Sequence, residues 1–194
     1  VMVDSSPQIA RLEHFEHWLR TEAVVAGGIG PAEIPRLRDR HLLDSLAYVA
    51  GITDRAAAIV DVGSGTGLPG IPLAIALPEA TVTLVDRSQR RIDLARRAIR
   101  ILRLDNVETS VIDVRRVERS WDVAVFRASL PIPEAAATVP TITGPTGHGL
   151  LGVSRLPEPP SLPPPPPGIA FDLADVGDSV LDSPFWLLTM HRSA

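Results

Sequence analysis

Apolar residues Ile9, Leu12, Phe15, Leu19 and Ala23 recur three or four positions apart, which predicts an amphipathic helix from Ile9 to Val25. Gly27, Gly28, Gly30 and Pro31 break it. A second helix is expected from about Ile34 to Ala50. Its apolar face would hold Leu37, Leu42, Leu43, Leu46 and Val49, and its charged face Arg36, Arg38, Asp39 and Arg40. From Ala57 the pattern changes to short apolar runs ending in turn residues, as in strands buried on both faces. Strands are expected at 57–62, 81–86, 107–114, 121–128 and 147–155. Between them lie helical segments at 68–78, 88–104 and 133–142. The first of these holds proline in its opening turn, where proline is tolerated. In the second, Ser88 can cap the helix, and Ile92, Leu94, Ala95, Ile99 and Leu102 line its buried side. Alternating strands and helices point to a doubly wound α/β sheet.

The segment 157–167 holds eight prolines in eleven positions. Proline lacks the N–H a sheet ladder needs, so a stiff, extended loop is expected. The segments 168–176 and 184–192 then suit two closing strands, paired antiparallel at the sheet edge. The expected organisation is one domain over 1–194. It comprises a helical extension (1–56), a ligand-binding core (57–155), the proline-rich loop (156–168) and the closing strands (169–194).

Composition narrows the function classes. The formal net charge of −4 disfavours a nucleic-acid binder that works by bulk charge, though not a local basic patch. All nineteen basic residues are arginine, and seven of them fall at 87, 90, 91, 96, 97, 100 and 103. Such a helix is a solvated face or a phosphate-contacting one. With no cysteine, disulfides, thiolate zinc sites and cysteine nucleophiles are ruled out. Aromatic residues make up 4% of the chain, too few for a stacking platform for single strands. No apolar run reaches the roughly 18 residues of a membrane span, and no signal pattern opens the chain. A cytoplasmic monomer is expected.

The chemistry concentrates in Val60-Asp61-Val62-Gly63-Ser64-Gly65-Thr66-Gly67, which ends a strand and opens a helix. Its glycines permit a sharp turn and close approach of a ligand, and it lacks the lysine of a phosphate-binding loop. Asp86 ends the next strand about 20 residues on, placed to accept hydrogen bonds from two ribose hydroxyls. This suits a nucleoside ligand. Asp61 fits the sulfonium and ammonium groups of S-adenosylmethionine better than a pyrophosphate. A dinucleotide site is the alternative, since Gly65-x-Gly67-x-x-Gly70 also matches by letter. A capping or turn role for Asp61 is the simpler reading of that residue.

Two segments, Arg40-His41-Leu42-Leu43-Asp44-Ser45-Leu46 and Asp61 through Gly67-Leu68-Pro69-Gly70-Ile71-Pro72-Leu73-Ala74, carry a resemblance. So do Gly30-Pro31, Ile34-Pro35-Arg36-Leu37, Arg90-Arg91 and Leu104-Asp105-Asn106-Val107. The chain resembles the bacterial small-subunit ribosomal RNA guanine-N7 methyltransferases, also called glucose-inhibited division protein B. The resemblance is dense from about Gly27 to Arg127. It implies a class I S-adenosylmethionine-dependent methyltransferase fold, Rossmann-like, with an N-terminal helical extension. It also implies S-adenosylmethionine as cofactor and ribosomal RNA or the small ribosomal subunit as partner. The implied cofactor contacts are Asp61, Gly63, Gly65, Gly67, Leu68, Asp86, Val114, Arg115 and Arg127. Arg127 and His41 are the implied catalytic residues, with Asp44 and Ser45 beside them.

The chain departs from the family pattern at three places. Asp113-Val114-Arg115 stands where the family has Arg-Ala-Glu. Phe126 stands where it has a small residue. Strand five ends in Ser154-Arg155 rather than in a Lys-Gly pair. The implied reaction is methyl transfer to N7 of a guanine in 16S ribosomal RNA. That nitrogen carries no proton, so no strong base is required, and the protein's task is alignment and exclusion of water. The alternatives are a diverged relative acting on a small molecule or another RNA, and a non-catalytic protein that keeps the fold.

Overall fold

The computed structural model describes residues 6–117, 119–179 and 181–193. Seven strands form one sheet in the order β3-β2-β1-β4-β5-β7-β6. They are β1 (Ala58–Val62), β2 (Thr81–Asp86), β3 (Val107–Val111), β4 (Trp121–Phe126), β5 (Thr143–Ser154), β6 (Ile169–Asp175) and β7 (Trp186–Arg192). β1 to β5 run parallel, while β7 is antiparallel to β5 and β6 to β7. The closing strands thus pair as their alternation predicts. Between them and β5, residues 157–165 form no helix or strand, in keeping with the proline content.

The period-two geometry of the strands sorts their side chains onto two faces. In β1 and β4, Ile59, Val123 and Val125 enter one core. Val60, Val62, Ala124 and Phe126 enter the other. The first core is covered by α1 (Ser6–Trp18), α3 (Gly70–Ala76) and α4 (Gln89–Leu102), and the second by α5 (Ile132–Ile142). α4 behaves as its sequence dictates. The Ser88 hydroxyl accepts from the Arg91 N–H, and Ile92, Leu94, Ala95, Ala98 and Leu102 are buried. Asn106 places its side-chain amide within 3.2 Å of the carbonyls of Ala74, Leu77 and Ala80, closing the end of α3 against β3.

Several boundaries differ from expectation. The helix expected over Ile34–Ala50 is four short pieces. They are a 3₁₀ stretch Pro31–Arg36, a π-helical stretch Leu37–Leu43, α2 (Asp44–Ala47) and a 3₁₀ turn Tyr48–Gly51. Pro31 and Pro35 lack the N–H that regular helical bonding uses, and the chain tightens and then widens around them. The first helix likewise ends α-helically at Trp18 and continues as a π turn to Ala23. β3 stops at Val111 because Asp113 accepts the Arg115 N–H and starts a 3₁₀ turn, Val114–Arg116. β4 stops at Phe126, since Ala128 takes φ = 52° and leaves the extended region. β5 starts four residues early, directly after α5, and shifts register beside Trp121 and Val123.

One buried side chain ties the extension to the sheet. The Tyr48 hydroxyl donates to the Phe126 carbonyl and accepts the Gly152 N–H, both at 2.8 Å. It thereby joins β4 to β5 near their C-terminal ends. Burial pushes its phenol pKa far above the usual range.

Candidate functional site

Strand order reverses between β1 and β4, the point at which open α/β sheets bind ligands beyond the strand C-termini. A cavity of about 380 Å³ lies there, with Gly63, Asp86, Val114, Arg115, Ser129 and Glu134 in its wall. Gly63 leaves β1 at φ = 72°, and the N–H groups of Gly63 and Ser64 both donate to the Val85 carbonyl. That bend brings the loop over β2. A Cβ at Gly63 would stand 2.6 Å from the Ser129 Cβ, so glycine is needed for both conformation and space.

Asp86 is 7% exposed. One carboxylate oxygen accepts the Gly65 N–H at 3.1 Å, the other the Ser88 N–H at 2.8 Å. Arg91 lies 3.7 Å away. Each oxygen keeps a further lone pair for hydroxyl donors. Gly65 sits at φ = 57°, and a Cβ there would meet nothing within 4 Å. Among the described residues, the buried hydroxyls of Ser64 and Ser129 have no hydrogen-bond partner in the protein. A cavity whose wall offers a buried carboxylate and an unused hydroxyl suits a polyhydroxylated, nucleoside-like group.

Of the residues expected at the cofactor, Gly63, Asp86, Val114 and Arg115 line this cavity. Val114 is buried, while the Arg115 guanidinium lies 2.7 Å from the Asp113 carboxylate. That pair and the Arg115 N–H hold the half-buried Asp113 carboxyl well below its ordinary range. Asp61, Gly65, Gly67, Leu68, Arg127 and His41 stand outside the wall. Leu68 is 7% exposed and packs into the first core. Gly67 turns at φ = 99° against Ile71. Asp61 lies on the α3 face of β1, fully buried, and accepts the Gly70 N–H at 2.8 Å. The capping reading therefore describes its visible contact. Its other oxygen has no partner among the described residues. Burial pushes the Asp61 carboxyl up to about 7, against the lowering effects of the Gly70 N–H and the Arg127 charge.

The two residues expected to be catalytic meet each other instead. The Arg127 Nη2 donates to the Arg40 carbonyl at 2.6 Å and lies 3.0 Å from His41 Nδ1. His41 Nε2 is 3.1 Å from Glu33. Ser45 donates its hydroxyl to the His41 carbonyl. Beside this chain, Arg155 pairs with Asp44 at 3.2 Å and also reaches the Asp39 carbonyl and the Ser183 hydroxyl. Burial raises the Asp44 pKa and Arg155 opposes that rise. The charge at the end of β5 is thus engaged by the aspartate of the Arg-His-Leu-Leu-Asp-Ser segment.

Sequence reading missed Ser129, Glu134, Arg87 and Ile112 in the cavity wall, and Glu33 beside His41. Ser129 carries no motif, and only its place just past β4 marks it. Glu33 stands eight residues before His41, about 12 Å along a regular helix, too far apart for their contact to be foreseen.

The sequence profile of the GidB family, rRNA small subunit methyltransferase G, matches residues 8–151. The ribosomal RNA small subunit methyltransferase G of Kineococcus radiotolerans is 41% identical over 135 residues, covering 69% of this chain and 51% of that protein. The chain spans about half the length of the curated relatives it matches. The crystal structure of ribosomal protein L11 methylase from Lactobacillus delbrueckii subsp. bulgaricus shares the fold, with a TM-score of 0.55 and 13% identity over 78% of this chain and 77% of that one. So does coclaurine N-methyltransferase bound to N-methylheliamine and SAH, with a TM-score of 0.54 and 14% identity over 75% of this chain and 50% of that one. With its seven-stranded sheet, the chain has the class I S-adenosylmethionine-dependent methyltransferase fold. On its sequence match over residues 8–151, the chain belongs to the GidB family of rRNA small subunit methyltransferases.

Proposed function

We propose that the chain binds S-adenosylmethionine in the cavity at the β1–β4 reversal and methylates N7 of a guanine in 16S ribosomal RNA. The observation that carries this reading is Asp86. Its buried carboxylate stands in the wall of a nucleoside-sized cavity, oriented by the Gly65 and Ser88 N–H groups. Asp86 would hold the ribose hydroxyls, Val114 would flank the adenine, and the Ser129 hydroxyl would find its missing partner there. The cofactor supplies an electrophilic methyl carried by a sulfonium.

Guanine N7 carries a free lone pair and no proton, so its methylation would release no proton from the base. The protein needs no general base. It must hold the two reactants in line and keep water out. The Glu33–His41–Arg127 chain and the Arg155–Asp44 pair stabilise the extension over the C-terminal ends of β4 and β5. That arrangement suits a wall for the base being methylated. The base must leave its stack to enter.

Calorimetric titration with S-adenosylmethionine and its demethylated product tests the site. Micromolar binding is expected, lost in Asp86→Ala. The purified chain is then incubated with small ribosomal subunits and labelled cofactor, and label at a guanine N7 is expected. Cofactor binding without label on those subunits would instead favour the reading in which the domain serves another substrate. That reading draws on Arg155, which replaces the expected lysine and is engaged by Asp44.

A further inference from the structure

We propose that α4 carries a docking surface for the RNA phosphodiester backbone, formed by Arg90, Arg97, Arg100 and Arg103. This rests on the proposal that RNA is the substrate. The chain is acidic overall, at −4, yet residues 87–103 hold seven arginines and one aspartate. The periodicity of α4 concentrates them. Ile92, Leu94, Ala95, Ala98 and Leu102 point into the core, which leaves Arg90, Arg96, Arg97 and Arg100 on the opposite, exposed arc. Arg103, just past the last turn, is exposed as well.

Local pairing does not account for this charge. Arg96 pairs with Asp93 at 3.2 Å and Arg91 with Asp86 at 3.7 Å. Among the described residues, the guanidinium groups of Arg97, Arg100 and Arg103 have no ion-pair partner. A groove of about 480 Å³ separates α4 from the Ala26 turn, lined by Gln89, Arg90, Asp93 and Arg97. Arg90 is held there by donating to the Ala26 carbonyl. The strip also starts at the right place. Arg87 and Arg91 lie in the wall of the cofactor cavity, and α4 runs away from it for about 20 Å at 1.5 Å per residue.

A polynucleotide whose target base enters the site would therefore find a row of planar donors along α4. Guanidinium suits phosphate in shape as well as in charge. No aromatic residue lies within α4, so the surface would read backbone rather than base.

The test measures anisotropy of a fluorescein-labelled stem–loop RNA against the full chain over a range of salt. Arg97→Gln/Arg100→Gln is compared with Arg11→Gln/Arg55→Gln, which removes equal charge from exposed positions elsewhere. The α4 variant is expected to bind about tenfold more weakly at low salt. Its salt dependence should fall by about one unit of slope per arginine. Its S-adenosylmethionine affinity should be unchanged, which shows that the fold and cofactor site are intact. Equal losses in both variants, or none in the α4 variant, would overturn the proposal. A wild-type chain that binds the cofactor but not RNA would instead defeat the RNA reading on which it rests.

Discussion

Arg127 Nη2 lies 3.0 Å from His41 Nδ1, across 86 residues of sequence, and this contact determines the protonation state of the imidazole. A guanidinium can only donate, so Nδ1 must accept and the remaining proton sits on Nε2, which donates to Glu33. His41 is neutral when both bonds are made. A proton on Nδ1 would abolish the bond to Arg127 and set two cations against each other.

The pH dependence follows. Burial and the Arg127 charge hold the His41 pKa below 6.5 despite Glu33. The unfolded chain therefore takes up this proton at a higher pH than the folded one. The contribution of His41 to stability is complete above 6.5 and declines as pH falls from there through the folded value. Melting temperature, followed from pH 7.5 to 5, should fall more steeply in the wild type than in His41→Ala. Identical slopes would show that the imidazole has no such linkage.

Asp61 has the opposite dependence. Its folded-state pKa is raised from 3.8 to about 7, so the folded chain holds the proton where the unfolded chain has lost it. This contribution is greatest below 3.8 and is lost as pH rises through about 7. Asp61→Asn keeps an oxygen for the Gly70 N–H and carries no charge. Its stability relative to wild type should rise between pH 4 and 7 and level off above that in urea titrations. A constant difference would mean that Asp61 titrates normally.

Two loop glycines should respond differently to alanine. Gly63 and Gly65 both sit at positive φ, which costs an L residue about 1–2 kcal/mol. Only Gly63 has a side chain where the Cβ would go, 2.6 Å from the Ser129 Cβ. Gly63→Ala should therefore lose about 1–3 kcal/mol beyond the backbone term, as overpacking does. Chemical denaturation of the two variants measures the gap, and equal losses would contradict the packing argument.

Removing one oxygen at Tyr48 should be costly. Tyr48→Phe leaves the Phe126 carbonyl and the Gly152 N–H without their shared partner. Buried groups left unsatisfied cost about 1–3 kcal/mol each, so a loss of about 2–6 kcal/mol is expected in urea unfolding. A loss below about 1 kcal/mol would mean that neighbouring groups replace the hydroxyl.

Much of this was legible in the residues, and the gaps have physical causes. The Ser88 cap, the buried stripe of α4 and the antiparallel closing pair follow from neighbours along the chain. Asp86 was legible because its distance from the glycine loop reflects one helix and one strand. The interruptions in the helix expected over 34–50 are not legible in the sequence, because periodicity alone cannot distinguish a continuous helix from 3₁₀ and π pieces that share its apolar face. Val114 and Arg115 line the cavity, although the strand expected to end at Val114 stops at Val111.

By itself, the sequence determined the alternation of strands and helices, the sharp loop at Gly63 and the carboxylate at the end of β2. These depend on contacts made within one or two turns of chain, where side-chain period and backbone freedom decide. Only the tertiary structure decided that Arg127 joins His41 and Glu33, that Arg155 joins Asp44, and that Ser129 rather than Leu68 lines the cavity. Those partners lie on separate elements, and their meeting depends on strand order and register, which no local spacing records.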